Sequence, residues 1–200
     1  MNYLAHALLA GDHPADRIGG VIGDFVKGPL DPLPAGLGPG LAAGVMLHRR
    51  IDSFADTHPA FLRSRGRVSA ARRRVAGVMV DMFYDHFLAR HWAQFSEQAL
   101  GDFTADTYRM IAAHPEPLPP SFGPVFERMR AHDWLASYRD VAVVALALDR
   151  MAELRLRRPN PLAGAGEELL AAYAGLEADF FEFLPDARAF ALSVVRQRGG

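Results

Sequence analysis

Several polar side chains stand on stretches that otherwise read as core helix. In His48-Arg49-Arg50-Ile51-Asp52 the imidazole and the carboxylate are four residues apart, so in a helix they share a face. Asp81 and Asp85 repeat that spacing in Asp81-Met82-Phe83-Tyr84-Asp85-His86, with His86 one residue further on. Packed face to face, two such helices bring carboxylates and a His–Asp pair together, which is how helical bundles build metal sites. A mixed nitrogen and oxygen set of this kind suits Mn²⁺, Fe²⁺, Mg²⁺ or Zn²⁺. Asp24, in Gly23-Asp24-Phe25, and His6, near the N-terminus, are further candidate ligands. The chemistry such a cation supplies is hydrolysis, because it lowers the pKa of bound water.

Each pair also has a plainer reading. His48 and Asp52 alone are as easily a surface hydrogen-bonded pair. Asp81 and Asp85 are less easily dismissed, since like charges at this spacing repel and these sit among Met82, Phe83, Phe87 and Leu88. They need a compensating cation, which is either a metal or the arginines at Arg72, Arg73 and Arg74. His132-Asp133 reads as a helix cap ahead of Trp134. His13, His58 and His114 sit in loops or beside proline and are expected to be solvated, and His91 beside Trp92 reads as a buried, satisfied histidine. Gly-rich phosphate loops, a Gly-x-Ser-x-Gly elbow and a His-Glu-x-x-His motif are absent.

The elements that position these residues are helical. Alternating apolar and polar runs bounded by tight turns are missing, whereas 3.6-residue periodicity recurs. Leu4, Leu8 and Leu9 mark a short first helix, and Ile18, Ile22, Phe25 and Val26 a second. Pro29, Pro32, Pro34 and Pro39 make residues 28–40 an irregular loop. Helices are then expected over 41–56, closed by Thr57-His58-Pro59, and over 67–95, 134–151 and 169–183. Prolines at 115, 117, 119 and 120, and at 159 and 161, separate the later ones. The expected fold is all-α, one helical bundle domain spanning 1–200.

Half of the 200 residues are hydrophobic and 22% are charged, which excludes global disorder. With no cysteine, any metal must be held by His, Asp and Glu. The N-terminus lacks the basic and apolar regions of a signal peptide, and the longest apolar run, Val141 to Leu148, is too short to span a bilayer, so a cytoplasmic protein is expected. Net charge is −1, but unevenly spread. Arg49, Arg50, Arg63, Arg65, Arg67, Arg72, Arg73 and Arg74 face only Asp52 and Asp56 in that stretch, while residues 167–186 hold six acids and no lysine or arginine. A basic face suggests an anionic partner; a solvated helix surface explains it equally well.

The blocks Met1 to His6, Gly23 to Gly28, His48 to Asp52, Asp81 to Trp92, Trp134-Leu135 with Tyr138-Arg139-Asp140, and Arg157-Arg158-Pro159 together resemble the acyl carrier protein phosphodiesterase family. No one block is specific; the ordered set is. The resemblance implies hydrolysis of the phosphodiester joining 4′-phosphopantetheine to a carrier-protein serine, a role in fatty acid and lipid metabolism, a divalent metal (Mn²⁺), and a helical fold distantly similar to HD-type phosphohydrolases. The order Asp85-His86, rather than His-Asp, departs from the HD pattern, so no ligand assignment transfers by motif.

With that implication, Asp24, His48, Asp52, Asp81, Asp85 and His86 are the candidate metal ligands. Arg49 or Arg50 is a candidate phosphate clamp, and His6 or His91 a proton donor to the leaving serine oxygen. Arg63, Arg65, Arg67, Arg72, Arg73 and Arg74 are the expected docking face for the acidic carrier protein. Two other readings remain: a nucleotide phosphohydrolase using the same metal chemistry, and a non-enzymatic helical binding module.

Overall fold

The structure, a computed structural model, describes residues 2–155 and 160–198; the Arg157-Arg158-Pro159 block lies outside them. Among the described residues there are eleven α-helices and no strand, as the periodicity predicts. They are α1 (Tyr3–Leu9), α2 (Pro14–Ile22), α3 (Pro39–Ala55), α4 (Pro59–Arg67), α5 (Ala76–Arg90), α6 (Leu100–Ala112), α7 (Gly123–Ala131), α8 (Trp134–Ser137), α9 (Val141–Arg155), α10 (Gly166–Ala171) and α11 (Tyr173–Arg198).

The central helix is α5. Every residue from Met82 to Ala89 is buried, as expected of a helix apolar nearly all round. It packs against α1, α4, α9 and α11. α2 lies tightly on α3: a Cβ on Gly19 would come within 2.5 Å of the Gly44 backbone. That close approach needs glycine on both helices. An aromatic core of Phe61, Tyr84, Phe87, Phe180 and Phe183 joins α4, α5 and α11.

Three expectations from periodicity need correction. The helix expected over 67–95 is interrupted, because Val68 and Ser69 are extended and a 3-10 turn covers Ala70–Val75. Glu168 of α10 accepts from the Ser69 amide at 2.8 Å and also from its hydroxyl, so tertiary contacts divert a backbone group that the helix would have used. The helix expected over 134–151 divides at Tyr138–Asp140, where Asp140 accepts from the Ala142 amide at 2.9 Å and starts α9 afresh. The helix expected over 169–183 divides at Ala172 between α10 and α11, and α11 runs on to Arg198, accommodating Pro185. Proline at 59 both closes α3 and opens α4 at its first position, with His58 capping the Ala60 amide at 3.2 Å.

Candidate metal centre

Three helices and a turn converge on one polar cluster. α1 supplies His6, α3 supplies His48 and Asp52, the 3-10 turn after α2 supplies Asp24, and α5 brings Asp81 close by. His6 Nε2 lies 3.1 Å from one Asp52 oxygen and His48 Nε2 3.2 Å from the other. Asp24 stands 3.8 Å from His48 Nε2. The two imidazoles stack with centroids 3.7 Å apart and are both almost fully buried, whereas the Asp24 side chain is 57% exposed. The cluster is therefore buried on its histidine side and open on its Asp24 side.

The hydrogen bond to the Gly20 carbonyl decides how His48 behaves. That oxygen only accepts, so at 2.8 Å the proton sits on His48 Nδ1 and Nε2 is turned toward the carboxylates. A bare Nε2 lone pair facing two carboxylates is repulsive. Either a proton or a metal cation must lie between them. With no cation, burial acts to lower the His48 pKa, but Asp24 and Asp52 outweigh it and raise it to about 9. Burial and the neighbouring His48 push His6 the other way, down to about 4. Burial would raise Asp52, but surrounding positive charge and the two imidazoles hold it well below the carboxylate range. His48 also holds Asp24 low.

Ligand atoms of His6, His48 and Asp52 all lie within 4.8 Å of one another. A first-row divalent cation holds such atoms at about 2.0–2.2 Å, and so roughly 3 to 4.4 Å apart. The donor set and its spacing fit, and the carbonyl behind His48 is the outer partner that metal-bound histidines ordinarily have. Asp81 feels the same region electrostatically: burial raises its pKa, and the charges of Asp52 and Asp24 add to the rise.

The other expected site residues lie elsewhere. Asp85 is fully buried, and its two oxygens accept from the backbone amides of Leu4 at 2.9 Å and Ala5 at 3.1 Å. It caps α1 from across the core, and burial still pushes its pKa up to about 7. His86 places Nδ1 against the Tyr138 carbonyl at 2.8 Å and Nε2 against the Tyr173 hydroxyl at 2.9 Å. His91 pairs with Glu177 at 2.6 Å. Arg49 donates to the Val26 carbonyl at 2.8 Å, tying down the segment after Asp24, and Arg50 lies 6.0 Å over the Phe190 ring.

Nor is the basic stretch free. Arg63 and Arg67 pair with Asp179, Arg63 also with Glu182, Arg65 with Asp56 and Arg72 with Glu168. The basic stretch and the acidic stretch largely neutralise one another, and of residues 63–74 Arg73 and Arg74, both exposed, have no carboxylate partner among the described residues. His58, expected to be solvated, is buried against Phe54 and Phe183 and faces Asp186 at 3.2 Å. His13 is exposed and Asp133 caps Ala136, as expected.

Comparison with known proteins gives this arrangement a context. Residues 1–187 match the family described as acyl carrier protein phosphodiesterase. The chain belongs to the acyl carrier protein phosphodiesterase family. The protein of that name from Serratia proteamaculans (strain 568) is 36% identical over 189 residues, covering 92% of this chain and 94% of the relative. Those from Yersinia pestis and Escherichia coli O157:H7 are 35% and 34% identical, each with the same coverage of both chains. No solved structure matches the chain.

Within this phosphodiesterase-family chain, Gly20 and Gly23 escape a sequence reading that looks only for ligands, and Asp85 takes a positioning role that such a reading does not give it. Gly20 supplies the carbonyl that fixes His48, and Asp85 fixes the helix that carries His6. Gly23 leaves room for His48, because a Cβ there would sit 2.3 Å from the imidazole Cγ. Its backbone is ordinary right-handed helix, so alanine strains only the contact with the ring. Gly23→Ala is expected to weaken Mn²⁺ binding about 10- to 100-fold, as the loss of an outer partner does, while circular dichroism retains the wild-type helix signal. Unchanged Mn²⁺ affinity in this variant would show that the His48 ring position does not matter.

Proposed function

We propose that the chain hydrolyses the phosphodiester between 4′-phosphopantetheine and the serine of holo acyl carrier protein, releasing apo carrier protein and free 4′-phosphopantetheine. His6, His48 and Asp52, with Asp24 and Asp81 beside them, would hold the divalent cation, for which Mn²⁺ is the favoured choice. The observation that carries this reading is His48 Nε2, aimed at two carboxylates with its other nitrogen tied to Gly20. The names of the relatives supply the substrate class.

Held by His6, His48 and Asp52, a divalent cation would supply Lewis acidity toward a phosphoryl oxygen and toward water near neutral pH. The protein's own part is orientation and proton control. The Gly20 carbonyl keeps the proton of neutral His48 on Nδ1, so Nε2 remains available as a ligand. Asp52 engages both imidazoles and holds them in register. Asp24, ionised at the exposed edge, is placed to accept a hydrogen bond from an approaching water. His6, with its pKa near 4, is neutral at neutral pH and lacks the imidazolium proton of a general acid, which favours a ligand role. No helix among the described residues is long and apolar enough to cross a bilayer.

Cation binding should depend on pH with a defined sign. His48 must release its proton to ligate, whereas Asp52 is already ionised. Below about pH 9 each binding event therefore expels one proton, and Mn²⁺ affinity falls about tenfold for each unit of pH lowered. Calorimetry at neutral pH in two buffers of different ionisation heat measures that release. No proton release would contradict the assignment of His48.

Docking of the acidic carrier protein falls to Arg73 and Arg74, the arginines of the basic stretch with no carboxylate partner among the described residues. Arg73→Glu with Arg74→Glu is expected to raise KM about tenfold at low salt with kcat unchanged, and the difference should shrink as salt screens the contact. The function itself is tested by incubating the metal-stripped protein with holo carrier protein, with and without Mn²⁺, and recording the intact mass. Loss of the phosphopantetheine mass only with Mn²⁺ supports the reading; no loss under either condition overturns it.

A further inference from the structure

A second polar site lies on another side of α5. A cleft of about 620 Å³ is lined by His86, Arg90, Ser137, Arg139, Asp140 and Tyr173 among others. None of these belongs to the His6–His48–Asp52 cluster. On the helix, His86 is five residues past Asp81 and so about 140° further round the axis, which makes the two sites separate faces of one element.

The base of the cleft is built, not incidental. His86 is only 2% exposed, and both of its nitrogens are engaged. The Tyr138 carbonyl requires the hydrogen on Nδ1, so Nε2 accepts from the Tyr173 hydroxyl. That pair fixes the Tyr173 ring, which also packs edge-on to Phe87 with centroids 5.0 Å apart.

The rim is cationic. Arg90 and Arg139 are both exposed, and neither forms an ion pair with a carboxylate among the described residues. This sets them apart from Arg63, Arg65, Arg67 and Arg72, each of which has an acidic partner. Of the nearby acids, Asp140 lines the cleft and Glu177 faces away to a histidine. Asp140 accepts from the Ala142 amide at the start of α9, and Glu177 is 2.6 Å from His91. Two guanidinium groups against the single Asp140 carboxylate leave the lining of the cleft net positive, which favours an anion there. Their planar forks match phosphate oxygens, and the volume is that of a small-molecule site.

We propose that the cleft between Arg90 and Arg139, floored by the His86–Tyr173 pair, binds a small phosphate-bearing molecule at a site separate from the metal centre. Such binding is independent of whether the chain cleaves a phosphodiester.

Inorganic phosphate and phenyl phosphate serve as probes, titrated into the full chain while the His86 ring resonances are followed by NMR. Saturable shifts are expected. Arg90→Met and Arg139→Met should each weaken phosphate binding about tenfold, the loss of one charge-assisted contact, while cleavage of holo carrier protein is retained. A double variant that binds phosphate as the wild type does overturns the proposal. So does a His86 signal that ignores phosphate. Variants that lose carrier-protein affinity with phosphate binding intact would overturn it too, because the arginines would then be a protein contact.

Discussion

Asp85→Ala is expected to destabilise the fold by about 2–5 kcal/mol and to remove most Mn²⁺ affinity, because two buried backbone donors lose their acceptor at once. The first turn of α1 has no other side-chain cap: Asn2, at the cap position, makes no such bond and instead reaches Met82 and Tyr138. Helix starts need their amides satisfied, most of all when buried. Once α1 frays, His6, one and two residues beyond the capped amides, loses its place against Asp52. Asp85→Asn keeps one acceptor oxygen and should lie between wild type and alanine on both scales. Chemical denaturation and Mn²⁺ titration of the two variants give the check. A variant that keeps wild-type stability but loses the cation would instead make Asp85 a direct ligand.

His48→Ala separates the two effects in the opposite way. The ring contributes a ligand atom and little of the core, since α3 is held by Gly44 against α2 and by Val45, Leu47 and Ile51 in the buried interior. Removing outer partners of a metal ligand costs 10- to 100-fold, so losing the ligand itself should weaken Mn²⁺ by at least about 100-fold and reduce cleavage to background. Stability should fall less than in Asp85→Ala. Thermal denaturation run beside intact-mass assays of holo carrier protein would show it. Cleavage within a few-fold of wild type would remove His48 from the mechanism.

These two residues also mark where sequence reasoning reaches and where it stops. His48 and Asp52 share one helix, so their common face follows from spacing alone. Asp81 and Asp85 share a face by the same argument, but spacing does not say what that face meets. Asp81 lies in the field of Asp24 and Asp52, while one turn later the facing element is the start of α1, and Asp85 becomes a cap. His86 is displaced far enough round the axis to belong to a different surface. The charge runs were legible, but their pairing was not: Arg63, Arg67 and Arg72 meet Asp179, Glu182 and Glu168 about a hundred residues away. The same long-range contact, Glu168 on Ser69, breaks the helix that local periodicity extended over 67–95. Local pattern predicted the all-α class; non-local polar contacts set the breaks and the roles.

The central claim is the identity of the cation's ligands, and anomalous diffraction from Mn²⁺-loaded crystals tests it most directly. The expected result is a peak about 2.0–2.3 Å from a ring nitrogen of His6, from His48 Nε2 and from an Asp52 oxygen. A peak against Asp85 and His86, or none in crystals of a protein that cleaves holo carrier protein, would contradict it.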